Sequence, residues 1–380
     1  MLNSSLFAFA HQLRSLNSSF KKILHSSFFI LHFNPYLCNM KRIKTIYYII
    51  AVLAALIIAG VVMYKKLMAP LSKQAQTEYI YIDTDDNIDS VMNQLRGISA
   101  EYPLWLFDKI ANHYEYPKKI RTGRYAITTT ENAVDVFRKL RGGMQTAISL
   151  RLPEVRTVEK LATALSDQIM LDSATLAKAF TDSAFCTKYG YKEETLTALF
   201  IPNTYEVYWD ISLEKFMERM VKENKRFWNE TRMKKAEAQG LTPVEVAILA
   251  SIIDEETRNN GEKPMIAGMY LNRLRIKMPL QADPTIKFAM QAFKLRRILN
   301  SMLKTKSPYN TYTNVGLPPG PIKIASIASL EAVLNPASHK YLYMCAKEDF
   351  SGTHNFARTY SEHLKNASRY RKALNARNIK

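Results

Sequence analysis

Three consecutive acids, Asp254, Glu255 and Glu256, close an otherwise apolar run in LTPVEVAILASIIDEET. A carboxyl emerging from an apolar wall loses hydration in its charged form, so its pKa rises toward neutrality and it can donate a proton. Thr242, Pro243 and Glu245 spell a capping box with proline at the first helical position, which gives the run a defined helical start. Counting back three, four and seven from Glu256 reaches Ile253, Ile252 and Leu249, placing this carboxylate on the apolar stripe of its own helix. Glu255 stands over Ile252, Ser251 and Ile248 on a mixed face, and Asp254 over Ser251 and Ala250. Glu256 is therefore the candidate general acid. The competing expectation is a solvent-facing helix end, or a pair with Arg258 or Arg273.

The residues that follow are rich in hydrogen-bonding groups. GEKPMIAGMYLNRLRIKMPLQADPT brings Glu262, Asn272, Arg273, Gln281 and Asp283 into a short span, and SPYNTYTNVGLPPGPI adds Asn310 and Tyr312. Pro264 suits a helix start, while QADPT and GLPPGPI are rigid proline turns of the kind that hold polar side chains around a cleft. Further on, YLYMCA and HNFARTY predict a β-hairpin.

Several elements must position these groups. The stretches YIDTDDNIDSVMNQLRG and YAITTTENAVDVFRKLRG share a plan of short strand, polar turn, amphipathic helix, basic residue and glycine. SLRLPEVRTVEKLATAL resembles a third copy in which Thr157 caps the helix. Residues 173–240 read as mainly helical, interrupted by LFIPNTYEVYW as an ordered loop or short extended piece, where Tyr205, Tyr208 and Trp209 offer rings to core or to sugars. FKLRRILNSMLKTK suits docking on the core or a membrane surface.

Residues 46–64 are uncharged and apolar, close to the roughly 20 residues that span a bilayer. They predict a transmembrane helix with a short cytoplasmic amino end and the rest of the chain outside the cytoplasm. Residues 1–39 contain no acid and have apolar pieces too short to span; Met40 followed by KRIK resembles a natural start. The expectation there is a non-native or disordered extension. With 53 basic against 34 acidic residues, the formal charge of +19 favours an anionic partner. Outside the cytoplasm, and without a helix-turn-helix or RNP-type signature, nucleic acid is not that partner. Arg273, Lys294, Arg296 and Arg297 are candidate contributors to anion binding. The three cysteines, Cys38, Cys186 and Cys345, have no metal-type spacing and are expected as free thiols.

In order along the chain, LASIIDEET, IAGMYLNRL, MPLQADPT, SPYNTY, GLPPGPI and GTHNFARTYSEH resemble the YceG-like endolytic murein transglycosylases (MltG). The resemblance implies an α+β fold class: one N-terminal transmembrane helix within residues 40–68, a small LysM-like α/β module over 75–170 and an α+β catalytic domain over 171–380. It puts the family's catalytic glutamate, the second acid of an E-K-E-T pattern, on Glu256. This chain departs from that pattern with Asp254 and Glu255, an added negative charge expected to raise the pKa of Glu256 further. The resemblance places Glu262, Gln281, Asp283, Asn310 and Tyr312 along a substrate cleft, with His354 a weaker candidate. It implies cleavage of the β-1,4 bond between N-acetylmuramic acid and N-acetylglucosamine in peptidoglycan, leaving a 1,6-anhydromuramyl end. No metal and no organic cofactor is required, and peptidoglycan synthases are implied as partners. Two alternatives stay open: a hydrolase in which Asp283 or Glu262 activates water opposite Glu256, and a tethered wall-binding scaffold without catalysis.

Overall fold

The computed structural model describes residues 40–295 and 298–377. The expectations for residues 1–39, Cys38 included, and for Arg296 and Arg297 lie outside the described residues.

Helix α1 (Met40–Leu67) stands as a unit of its own. Its apolar stretch Lys44–Leu67 has 24 residues, a rise of about 36 Å against a hydrocarbon core of about 30 Å. Ile46, Leu53, Ile58 and Val62 are all exposed, so apolar side chains cover every side of the helix. A helix apolar all round is stable only in an apolar environment.

The second unit, residues 67–380, holds three hydrophobic cores. In the first, strands β1 (Glu78–Ile82) and β2 (Gly123–Ile127) pair antiparallel with Ile80 opposite Tyr125. Ile80 and Ile82 point inward while Tyr79 and Tyr81 face solvent, the period of two expected of a half-buried strand. Helices α2 (Ile88–Ile98), α3 (Glu101–His113) and α4 (Ala133–Gly142) cover this ribbon. Asn87 caps α2, Asn132 and Asp135 form a capping box on α4, and Gly143 closes α4 at φ 67°, a left-handed conformation glycine adopts without strain. Both copies of the repeated plan are thus strand, turn and capped helix, and the core they share closes by Leu140.

The third copy belongs elsewhere. Strand β3 (Ile148–Arg151) pairs antiparallel with β4 (Thr204–Val207), and α5 (Val158–Ser166), capped by Thr157, packs with α6 (Ser173–Phe180), α7 (Ser183–Lys188) and α8 (Leu213–Phe227). Tyr205 on β4 is buried and donates its hydroxyl to Ile201 O at 2.6 Å, so it is core, whereas Tyr208 is exposed. Asp210 ties the first core to this one by accepting from Thr122 Oγ1 at 2.7 Å and Gln145 Nε2 at 2.8 Å.

The third core gathers α9 (Glu230–Ala238), α10 (Pro243–Glu256), α11 (Lys263–Arg275) and α13 (Ile327–Leu334), beside α12 (Asp283–Ala289), the hairpin β5 (Tyr343–Ala346) and β6 (His354–Ala357), and α14 (Tyr360–Ala376). The fold of the described residues is therefore α+β, with three two-stranded antiparallel sheets and one apolar N-terminal helix. Among residues 293–295 and 298–306 the only regular element is a short 3-10 turn at Met302–Lys304, not an amphipathic helix. Cys186 and Cys345 are free thiols.

Candidate active site

Thr242 and Glu245 form the expected capping box: Thr242 Oγ1 accepts from Glu245 N at 3.3 Å, and Glu245 Oε2 accepts from Thr242 N at 2.7 Å. From Val246 to Ile253 every residue of α10 is buried, so the apolar stripe is one side of a helix covered on all sides. Its last turn carries the three acids and no basic residue. That is the unfavourable end for anions, because unpaired carbonyls give a helix C-terminus a partial negative charge costing about 0.3–1 kcal/mol per carboxylate.

The three acids meet this cost differently. Asp254, expected on a less apolar face, is enclosed, with its side chain 4% exposed. It accepts from Lys263 Nζ at 2.8 Å, Ser326 N at 2.6 Å, Ser326 Oγ at 2.7 Å and Ser329 Oγ at 2.6 Å. Burial pushes its pKa up, but these donors outweigh burial and hold it below the usual carboxylate range. Glu255 receives Arg156 through Nη2 at 2.7 Å and Nε at 3.1 Å, with Lys323 at 3.9 Å. Glu256 has no ion pair among the described residues; its partner is a neutral phenol, Tyr270, which donates to Oε1 at 2.7 Å. The expected alternatives, Arg258 and Arg273, do not pair with it.

Burial is the main cause that pushes the Glu256 pKa up to about 7. The Tyr270 hydrogen bond opposes it, the Asp283 charge adds to it, and His354 and Lys287 oppose it weakly. The expectation that Asp254 and Glu255 supply the extra upward push is corrected here, since cations neutralise both and the contributing carboxylate is Asp283.

Tyr270 reaches Glu256 because α11 packs against α10. Pro264 sits in the first turn of α11, as its position predicts. Gly268 lets the chain before β5 lie directly on the helix: a Cβ there would sit 2.4 Å from Ala337 O. Asn272 donates to His339 O at 2.8 Å and Tyr341 O at 3.1 Å. Arg273, considered above for anion binding, is buried and donates to Leu342 O, Pro279 O and Leu280 O, so its donors hold the hairpin and the QADP turn. Glu262 is likewise buried at the start of α11, accepting from His354 N at 2.6 Å and lying 3.0 Å from His354 Nδ1. Both of its oxygens fasten β6.

The QADPT turn zips onto Thr311 of the SPYNTY segment. Gln281 N donates to Thr311 O at 3.0 Å, Ala282 N to Thr311 Oγ1 at 3.0 Å, and the Thr285 and Thr311 hydroxyls meet at 2.9 Å. Asn310 is fully buried; its amide donates to Leu303 O and Thr305 O, and its Oδ1 accepts from Tyr312 N. This fixes Tyr312, whose hydroxyl donates to Asp283 Oδ1 at 2.5 Å. Gln281 and Asp283 are exposed. Of the five expected cleft residues, two therefore turn inward and shape loops, and three keep polar tips available.

A cavity of about 1000 Å³ opens on Glu256, Thr257 and Arg258, with Arg156, Lys160, Lys287, Lys323 and Ile327 among its walls. None of Glu262, Gln281, Asp283, Asn310 and Tyr312 lines it. Sequence reasoning missed Tyr270, although its polar tip on the apolar side of α11, one turn from Ile266, was a usable signal. It also missed Arg156, Lys160, Lys287 and Lys323, whose spacing along the chain carried none. Among the described residues no group of His, Cys, Asp and Glu is arranged to hold a metal ion.

The model of the YceG-like family matches residues 80–369. A Bacillus subtilis protein named endolytic murein transglycosylase is 30% identical over 336 residues, covering 83% of this chain and 91% of the relative. A Streptococcus pneumoniae protein of the same name is 24% identical over 299 residues, 70% of this chain but 53% of the relative. A crystal structure of a YceG-like protein from Listeria monocytogenes superposes with TM-score 0.50 at 27% identity, covering 77% of this chain and 99% of that one.

Proposed function

The chain belongs to the YceG-like family, and from that premise we propose that it is a membrane-anchored endolytic lytic transglycosylase that cuts peptidoglycan glycan strands. The observation that carries this reading is Glu256, a carboxyl held by Tyr270, raised to about 7 and opening on a large cavity. A general acid works best when its pKa lies near the operating pH.

Glu256 gives its proton to the oxygen of the β-1,4 bond between N-acetylmuramic acid and N-acetylglucosamine as the bond to the anomeric carbon breaks. The carboxylate so formed takes the proton of the muramyl C6 hydroxyl. That oxygen bonds to the anomeric carbon, closing a 1,6-anhydro ring. One proton leaves Glu256 and one returns, so no water is consumed and no second carboxylate is needed. Tyr270 steadies the carboxylate between the two steps through a charge-assisted hydrogen bond. Burial keeps the acid protonated at rest, and the charge of Asp283, whose Oδ1 accepts from Tyr312, adds to that push. Gln281, exposed outside the cavity walls, is read as an outlying substrate contact, while Glu262 and Asn310 act by positioning the hairpin and Tyr312.

Helix α1 serves as a single-pass anchor, with the catalytic body on the extracytoplasmic side; the support is its length and its apolar surface on every side. Residues 75–170, with the α/β core that closes by Leu140, are read as a LysM-like platform and residues 171–380 as the catalytic domain. Cutting nascent strands in this position would act beside peptidoglycan synthases and limit strand length. The hydrolase alternative loses one of its bases, because both Glu262 oxygens are engaged by His354.

Mass spectrometry of glycan fragments is the test. Wild type is expected to release 1,6-anhydromuramyl ends, and Glu256→Gln to lose at least about a hundredfold in rate, the lower range for a general acid. Reducing muramyl ends would establish a hydrolase instead, unchanged cleavage by Glu256→Gln would remove Glu256 from the reaction, and no fragments from either protein would leave a scaffold.

A further inference from the structure

The cavity beside Glu256 has more positive charge than its own carboxylates use. Six cations line it: Arg156, Lys160, Arg258, Lys263, Lys287 and Lys323. Three are committed, Lys263 to Asp254 at 2.8 Å, Arg156 to Glu255 at 2.7 Å and Lys323 to Glu154 at 3.4 Å. Lys160, Arg258 and Lys287 have no ion pair among the described residues. Lys160 is not idle, since its Nζ lies 5.5 Å from the centre of the Phe293 ring, beside Arg156 at 5.3 Å, which steers the side chain along the cavity wall. Lys287 stands close enough to Glu256 for its charge to bear on that carboxyl. The one lining acid without a cationic partner, Glu256, is half neutral near pH 7 and offsets little of the surplus.

Amino-sugar rings are uncharged and have no use for three unpaired cations. The anionic part of a peptidoglycan strand is the stem peptide that hangs from each muramyl lactyl group, through its free carboxylates. We propose that Lys160, Arg258 and Lys287 form a carboxylate-binding wall through which the enzyme selects glycan whose stem peptides carry free carboxylates over glycan in which those groups are amidated. The inference rests on the transglycosylase reading and adds to it the charge state of the preferred substrate. Arg258 supplies a planar fork suited to a carboxylate, and the two lysines supply mobile point charges that follow a flexible peptide. A cavity wall of one sign also concentrates anionic substrate, an effect that salt weakens.

The experiment compares two preparations of the same uncrosslinked strands, one with free stem carboxylates and one with those carboxylates converted to carboxamides. Wild-type full-length chain in detergent and the triple variant K160Q/R258Q/K287Q are assayed on both. The quantity read is the ratio of kcat/KM on free over amidated strands, a ratio that cancels any effect of Lys287 on the acid itself. A charge-assisted contact predicts roughly a tenfold ratio or more in wild type and a ratio near one in the triple variant. A wild-type ratio near one overturns the proposal, and so does a tenfold ratio that survives in the triple variant. Absence of anhydro ends on both preparations would sink the transglycosylase reading instead. In that event, binding of both strands by Glu256→Gln, with and without the three substitutions, decides the wall by the same ratio taken in Kd.

Discussion

The last turn of α10 has two sides that handle the same chemical group in opposite ways. On the side facing α11's first turn and α13, Asp254 is surrounded by an ammonium, two hydroxyls and a backbone N–H. On the side facing Tyr270 and Asp283, Glu256 has one phenol and a nearby like charge. Both carboxyls are withdrawn from water, yet the pKa of Asp254 falls while that of Glu256 rises to about 7. Burial alone therefore does not make a proton donor. What separates the two carboxylates is whether burial comes with a cation.

The largest effect that sharpens this contrast is expected from Lys263→Met. It leaves Asp254 buried without its ammonium, which costs about 3–5 kcal/mol when one partner of a buried pair is removed. Urea unfolding in detergent measures it, and Asp254→Asn added to Lys263→Met should restore part of the loss.

Next in size is Glu256→Gln, with the opposite sign. The folded chain holds a proton on Glu256 up to about pH 7, whereas the unfolded chain releases it near 4.5. Stability from this group is therefore fully present below pH 4.5 and lost as pH rises to about 7. The ionised form costs roughly 3 kcal/mol at about 1.4 kcal/mol per pKa unit. Glu256→Gln should match wild type near pH 4 and exceed it by roughly that amount at pH 8. A variant less stable than wild type at pH 8 would break the contrast.

Two smaller effects run in opposite directions on the alkaline limb of kcat/KM against pH. Tyr270→Phe removes the hydrogen bond that lowers the Glu256 pKa, so the limb should move up by about one pH unit. Asp283→Asn removes the charge that raises it, so the limb should move down by a few tenths. Equal movement, or movement in one direction by both, would mean that these residues do not act through Glu256.

Local signals made much of this legible. The Thr242–Glu245 box, Pro264 in the first turn of α11, Thr157 as a cap and the β5–β6 hairpin all depend on neighbours within a few residues, and each is present. Two strand-turn-helix copies paired as ribbon and cover because their turn and capping chemistry is self-contained. The third copy followed its own local rules but chose β4, 53 residues on from Arg151 at Thr204, and no periodicity encodes such a partner. The enclosure of Asp254 was hidden for the same reason: Ser326 caps α13 and Ser329 lies in it, both more than 70 residues later. Asn310 and Glu262 looked like cleft residues because they are polar in a polar-rich stretch, whereas their burial is decided by the carbonyls and the backbone N–H they satisfy.

The most direct measurement is an isotope-edited infrared titration of the Glu256 carboxyl, identified by the band that Glu256→Gln removes. The account predicts an apparent pKa near 7, moving up in Tyr270→Phe. A carboxyl that ionises at or below the ordinary 4.5 would contradict it, because a group already charged at neutral pH has no proton to give to the glycosidic oxygen.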